Sequence, residues 1–498
     1  MTTDIKLLGN IQNNNSFNNS ANEELPAASE IFQWTKQWYP VAVVEYLDAS
    51  RPHAMQLLGK DIVLWRDGSG QWRCFEDFCP HRLVPLSEGR VEADGTLLCA
   101  YHAWRFDAQG NCVNMPQSKD EQTAVRNCEN QKFCAVVYPT QERQGLLWVW
   151  AEAGEKAQEE SQLQTPRIVT ELEDNLDRVE KSPWNFRDLP YGWDYFMENV
   201  CDPAHVPVSH HGIVGDRYKD SKYYDMIPVR HISTQDGFAF EIQPTQGNIV
   251  QAIHDFQPPC YMKITSTSKD GRQLILALYA TPTRPGWCRH IGCQVFVKNS
   301  QGKKPQGLSF FGLPLPIWLV HVLASLFLHQ DMVFLHYQEA IITQKRKGKW
   351  LDAVYTPNPQ DKMVIALRRW LENRAGGGIP WAEAYNNDIP QAEKDKQKLF
   401  DVWTTHTQNC TVCQNALKNI NRLTVLSYVA ATVCLFVAVI LDARTVAMQA
   451  VGASLFSLPP IGFWLALAAG ILLAVLGYQL KRFSRLFYVY EFEHAHND

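Results

Sequence analysis

Two short segments each join one cysteine to one histidine, and no other feature constrains the fold as much. Cys79-Pro80-His81 and Cys99-Ala100-Tyr101-His102 together read C-x-H-x17-C-x2-H. Just upstream, the apolar runs Asp61–Arg66 and Gln71–Phe75 flank Asp67-Gly68-Ser69-Gly70, which signals a hairpin. Each Cys/His segment therefore sits on a tight loop leaving a strand, and two loop tips can pinch one inorganic cluster. Two thiolates can hold one iron of a [2Fe–2S] unit while two imidazoles hold the other, an arrangement that raises the reduction potential. The alternative is a structural Cys2His2 zinc site. Zinc knuckles keep short C-x2-C and H-x3-H pairs, whereas each half here mixes the two residue types, which favours the iron–sulfur reading.

A second constellation runs from Glu198 to His210 as E-x3-D-x2-H-x4-H. His205 and His210 offer neutral nitrogen ligands of the kind a ferrous ion accepts. One carboxylate from elsewhere would complete a two-His-one-carboxylate face with positions open for dioxygen. Asp202 is expected to cap a helix that Pro203 opens. Pro207 is expected to end it, so that His210 can return towards His205. The competing reading is a capped helix with solvent-facing histidines.

At these residues the chain resembles the pheophorbide a oxygenase family, which includes membrane-bound Rieske oxygenases acting on chlorophyll-type tetrapyrroles. The resemblance is carried by Cys79-Pro-His-Arg-Leu-Val-Pro-Leu-Ser-Glu-Gly89 and Cys99-Ala-Tyr-His-Ala-Trp104. It extends through the Glu198–His210 motif, a later C-x2-C and a C-terminal hairpin. It implies that Cys79, His81, Cys99 and His102 ligate the cluster and that His205 and His210 bind a mononuclear Fe(II). It also implies that Asp202 links a cluster histidine to an iron histidine across a subunit boundary, in a homotrimer. Leu83 and Ala103, or their neighbours, stand where a quinol-oxidising carrier would place a clamping disulfide. Cys112, out of ligand spacing, reads as a buried thiol.

The chain has 498 residues, a formal charge of -5 and 13 scattered cysteines. The charge argues against nucleic acid as a partner, and the odd cysteine count points to reduced thiols and metal ligands. Residues 1–30 are rich in Asn and Ser and read as a disordered lead-in without a signal or transit peptide, which favours a cyanobacterial member. The expected fold is α+β. An antiparallel β Rieske domain covers 31–153, ending on Gly145–Trp150, and a charged linker covers 152–164. A catalytic domain over 154–400 carries strands at 238–242, 261–266, 273–281 and 289–298. The resemblance implies a helix-grip sheet there.

Leu308–Leu328 is apolar, but Pro314, Pro316 and His321 speak against a membrane span and for a buried or interfacial helix lining the cavity. The following segment offers two carboxylates. Asp331 matches the family's Gln-Asp step and is the expected third iron ligand; an ordinary surface carboxylate is the alternative. Glu339 is expected on a solvated face, and His329 or His336 behind the ligands. The basic run Lys345–Lys349 could receive an acidic ferredoxin or anionic headgroups.

Within 401–420, Cys410-Thr-Val-Cys413 follows His406 and can be a dithiol switch, half a metal site or coincidence. The resemblance links such a pair to thioredoxin. Leu423–Leu441 and Ile461–Leu480 are uncharged and long enough to span a bilayer, within a hairpin over 421–481 followed by a tail over 482–498. Lys418, Arg422, Lys481, Arg482 and Arg485 flank it, while the turn holds only Arg444 offset by Asp442. That bias places the catalytic head on the cytoplasmic side of a thylakoid or plasma membrane. The expected activity is a ferredoxin-dependent oxygenase using O2 on an apolar tetrapyrrole. The rival is a membrane-anchored redox sensor or electron carrier using the cluster and the Cys410/Cys413 pair.

Overall fold

The computed structural model describes residues 31–174, 177–346, 350–382, 389–452 and 458–494. The lead-in expected over 1–30 and the side chains of the basic run Lys345–Lys349 lie outside this description.

Three small antiparallel sheets build the N-terminal part. Trp38–Val43 pairs with Leu146–Trp150, which pairs with Thr140–Arg143. His53–Leu57, Lys60–Arg66, Trp72–Glu76 and Val137–Tyr138 form the second sheet, and Arg90–Val91, Leu97–Leu98, Arg105–Phe106 and Cys112–Asn114 the third. The expected hairpin forms because the Asp67 carboxylate accepts hydrogen bonds from the Ser69 and Gln71 amides across the turn. The run Ile62-Val63-Leu64-Trp65 is continuously apolar because both faces of its strand are buried. Ile62 and Leu64 enter the main core, while Val63 and Trp65 enter a smaller core containing Cys79 and Cys99. That second core is the platform under both Cys/His loops.

The charged stretch expected as a linker instead forms the helix Glu155–Gln162, burying Ala157 and Ser161. Trp38 Nε1 donates to the carbonyls of Ser161 and Gln164 at 3.1 and 2.9 Å, tying the helix down. Its polar outer face conceals two inward positions spaced four apart.

An eight-stranded antiparallel sheet dominates the catalytic part. Six strands form a meander: Asp225–Ser233, Gly237–Gln243, Ile249–Gln257, Tyr261–Ser268, Gln273–Arg284 and Trp287–Val297. Val179–Lys181 and Asn185–Leu189 both pair with the last of these. Four meander strands were expected. Asp225–Ser233 was concealed by Pro228, which an edge strand tolerates, and Ile249–Gln257 by its largely unburied side chains.

The helix Ile317–Arg346 begins directly after Pro316 and packs against Asn185–Leu189 and Trp193–Cys201. It is apolar and long enough to cross a membrane, yet half of its most apolar window is buried in the protein. His321, Ser325 and His329 form a buried stripe at four-residue spacing. Arg187 donates to Ser325 Oγ at 3.2 Å and lies 2.8 Å from His329 Nε2. Glu339, expected on a solvated face, is buried and accepts a hydrogen bond from the Gly192 amide at 2.9 Å. Arg368, beside it, is already paired with Glu198 and Asp194.

The C-terminal hairpin comprises Thr411–Ala450 and Ile461–Ser484. At about 1.5 Å per residue the first helix runs about 60 Å, roughly twice a hydrocarbon core. Its first three turns bury Cys413, Ala416, Leu417 and Ile420 against the head. Beyond Arg422 apolar side chains face outward, with Val425, Phe436, Leu465 and Leu472 each more than 60 % exposed. Such a surface suits lipid. Asp442 and Arg444, expected in the connecting turn, lie within the first helix. The two helices close on small residues: a Cβ at Gly470 would meet Leu435 Cγ at 2.8 Å.

Candidate functional site

The two Cys/His loops share one backbone plan. Cys79 N donates to Val84 O and Leu83 N to Cys79 O; Cys99 N donates to Trp104 O and Ala103 N to Cys99 O. Leu83 and Ala103 occupy equivalent left-handed positions, with φ of +57° and +56°. The tight turns present Cys79 and Cys99 inward, both buried. The His81 and His102 rings lie 4.5 Å apart, and His81 stacks on Trp104 at 4.5 Å. His81 Nδ1 is buried with no hydrogen-bond partner among the described residues. A buried lone pair left unpaired costs about 1–3 kcal/mol, so this atom fits a metal ligand. Leu83 and Tyr101, at 70 % and 58 % exposure, leave the loop tips facing outward. Cys112 is a buried thiol whose sulfur lies 2.8 Å from that of Cys128.

The second constellation is assembled differently from the expectation. Asp202 is the C-cap of Trp193–Cys201, not the N-cap of a following helix, and its Oδ1 accepts from Ala204 N at 2.8 Å. His205 precedes the short helix Val206–Ser209, in whose first turn Pro207 stands. A single helical turn, not a broken longer helix, therefore separates the two histidines.

The third member comes from the long helix. His210 Nε2 lies 3.0 Å and His205 Nε2 3.6 Å from Asp331 Oδ2. One donor atom from each of these three residues lies within 4.8 Å of the others, close enough to hold one metal ion. Burial by itself would raise the Asp331 carboxyl, but the two imidazoles outweigh it and hold the group well below the usual carboxylate range. The far side of each ring is held as well. His205 Nδ1 faces the Asp202 backbone carbonyl and His210 Nδ1 faces Gln330 Oε1 at 2.9 Å. Ser209 Oγ donates to the second Asp331 oxygen. Gln330 was missed by sequence reasoning, although it is half of the Gln-Asp step. His329 and His336 bond elsewhere, to Arg187 and Tyr490 O and to Pro190 O and Glu393 N respectively.

Two cavities share residues of the triad. One has a volume of about 870 Å³, near the upper end of the ~300–1,000 Å³ typical of small-molecule pockets. Its wall includes Phe196, Ile264, Leu276, Leu278, Phe311 and Phe327, so the Leu308–Leu328 segment does line it. His254 and His290 also face it; burial lowers both to about 4, making them neutral imidazoles. A second cavity, of about 520 Å³, is lined by Glu198 and Trp350, with Asp202, His205 and Asp331 common to both.

Cys410 and Cys413 are both buried, next to His321 and His406.

Residues 37–131 match the Rieske [2Fe-2S] domain, and residues 256–349 match pheophorbide a oxygenase. The chain is 32% identical to pheophorbide a oxygenase of Arabidopsis thaliana, over 79% of this chain and 74% of that protein. It is 31% identical to flavonoid 8-hydroxylase 2 of Ocimum basilicum, over 79% and 75%. Among solved structures, dicamba monooxygenase bound to dicamba aligns with a TM-score of 0.52 at 18% identity, covering 68% of this chain and 97% of that one. That likeness concerns the fold alone.

Proposed function

This chain belongs to the pheophorbide a oxygenase family of Rieske non-haem iron oxygenases, and from that premise we propose that it oxygenates an apolar, chlorophyll-related tetrapyrrole. It is an oxidoreductase whose cofactors are a [2Fe–2S] cluster and a mononuclear iron. Rieske oxygenases take electrons from ferredoxin-type donors and use O2 with an organic substrate.

We assign Cys79, His81, Cys99 and His102 to the cluster, and His205, His210 and Asp331 to the iron. The observation that carries the reading is a two-His-one-carboxylate set opening on a large apolar cavity. Iron held there supplies the binding and reduction of dioxygen. The chain's own part is to orient that iron and its substrate. Gln330 and the Asp202 carbonyl fix the ligand rings, and the aromatic and aliphatic wall excludes water from a flat substrate. The cavity, the exposed hairpin and relatives that include chlorophyllide a oxygenase of Chlamydomonas reinhardtii support a pigment intermediate that partitions into lipid. A flavonoid-sized phenol is the second substrate class, favoured by the basil relative.

Asp202 is assigned the link between a cluster histidine of one subunit and His205 of the next, in a homotrimer. Support comes from the outward-facing loop tips and from the place of Asp202 beside His205, lining both cavities. Among the described residues, three helices are apolar enough to span a membrane. The last two are assigned as the anchor, with the head on the cytoplasmic side. A redox sensor with Cys410 and Cys413 as a thioredoxin-responsive pair is the weaker reading, since both sulfurs are buried.

The test is turnover of detergent-solubilised protein with reduced ferredoxin and isotopically heavy dioxygen. The panel comprises pheophorbide, chlorophyllide, protochlorophyllide, opened tetrapyrroles and a flavonoid. Heavy oxygen in a tetrapyrrole product supports the proposal; label only in the flavonoid moves the second class ahead. If the iron-loaded protein neither labels a product nor consumes oxygen, the sensor reading takes its place.

A further inference from the structure

Four buried side chains that the oxygenase site does not use converge on one point. They are His321 from the long helix, His406 from the loop before the hairpin, and Cys410 and Cys413 at the hairpin's first turn. Each is at most 3 % exposed, and one donor atom from each lies within 4.8 Å of the others.

The backbone settles which ring nitrogens face inward. His321 Nε2 lies 3.2 Å from Trp184 O and His406 Nδ1 lies 2.8 Å from Phe186 O. A carbonyl only accepts, so those two nitrogens carry the protons. His321 Nδ1 and His406 Nε2 then present lone pairs to the sulfurs. Histidine that ligates a metal is commonly held in this way, by its other nitrogen on a backbone carbonyl.

The spacing fits a tetrahedron. Zn–S near 2.3 Å and Zn–N near 2.0–2.1 Å imply S···N edges of about 3.6 Å. Here Cys413 Sγ lies 3.4 Å from His321 Nδ1 and 3.3 Å from His406 Nε2, and Cys410 Sγ lies 3.7 Å from His321 Nδ1. Thiol–imidazole hydrogen bonds alone explain this less well, because Cys413 has one proton and stands equally close to two acceptors.

We propose that His321, His406, Cys410 and Cys413 form a closed, structural Zn(II) site that fastens the membrane hairpin to the catalytic head. Binding releases the two thiol protons and leaves a neutral Cys2His2 centre, which suits a buried position. Four protein ligands leave no open position, so the ion does no catalysis. His321 shares its helix with Asp331, ten residues on, so the clamp also holds the helix that carries the oxygenase carboxylate. The C-x2-C is thereby a ligand pair in place of a dithiol switch.

The test is elemental analysis of the full chain, purified in detergent without added metal or chelator. Zinc near one per chain, in addition to the iron, is expected. Cys413→Ser and His406→Gln should each lose the zinc while keeping the visible spectrum of the iron–sulfur cluster. Should both variants fail to fold, zinc-edge X-ray absorption of the intact protein decides. Two sulfur and two nitrogen neighbours support the site. An all-nitrogen-and-oxygen shell, meaning an adventitious ion only, overturns it. So does iron-replete protein that contains no zinc and whose two thiols react with an alkylating reagent.

Discussion

Gln330 places its side-chain oxygen 2.9 Å from Nδ1 of His210, 120 residues earlier in the chain. The next residue, Asp331, reaches Nε2 of the same ring. One Gln-Asp step thus addresses both edges of one imidazole, fixing its tautomer and its angle together.

Gln330→Leu should therefore weaken iron binding by about 10–100-fold, the usual effect of removing the partner behind a metal-bound histidine. The check is titration of the apo mononuclear site with Fe(II). Unchanged affinity would remove Gln330 from the positioning role.

His205→Ala should abolish turnover while the visible and electron-resonance signatures of the cluster persist. Iron per chain should fall by one from a full complement. The effect separates an oxygenase from a carrier, because only the oxygenase needs the second metal. A variant that keeps product formation would refute the triad.

Asp202→Asn tests the proposed link between subunits. Asparagine retains an oxygen to accept from Ala204 N, and the carbonyl facing His205 belongs to the backbone, so the local fold should survive. Cluster reduction by ferredoxin should remain while product formation falls by orders of magnitude. Turnover at the parent rate would take Asp202 off the electron path.

Glu339 gives a pH prediction. Burial, then the charge of Asp194, pushes its carboxyl up to about 8. An unfolded chain ionises it near its ordinary value of ~4.3. Between those values the folded chain binds the extra proton, so this group's contribution to stability falls as pH rises from about 4.3 to about 8. Glu339→Gln keeps an acceptor for the Gly192 amide and removes the titration. It should melt above the parent at about pH 8, with a smaller gap at about pH 6. Thermal unfolding in detergent at the two pH values checks this; an equal gap at both would assign Glu339 no titration.

Much of the chemistry was legible locally. C-x-H-x17-C-x2-H needs only two tight loops, and the turn chemistry around each lies within six residues. The strands at 261–268 and 273–284, and the two apolar C-terminal helices, declare themselves by pattern and length. Other features resisted. Asp202 lies between two helical segments, and a capping residue followed by proline reads equally well as a start or an end. Glu155–Gln162 has two inward positions among eight, too few to stand out from a charged linker.

The sequence by itself determined the kinds of ligand this protein offers and the segments that deliver them, because loop geometry and apolar periodicity act over a few residues. Only the tertiary structure decided which distant groups meet. His321 joins the cysteine pair and Glu339 is buried, though both sit on one helix with no distinguishing local signal; Asp331, on the same helix, is marked by its Gln-Asp step, and the fold brings it to His205 and His210. Side-chain identity is a one-dimensional fact. Coordination and burial depend on how a sheet, a long helix and a hairpin pack in three dimensions, and that packing is set by contacts 89 to 147 residues apart.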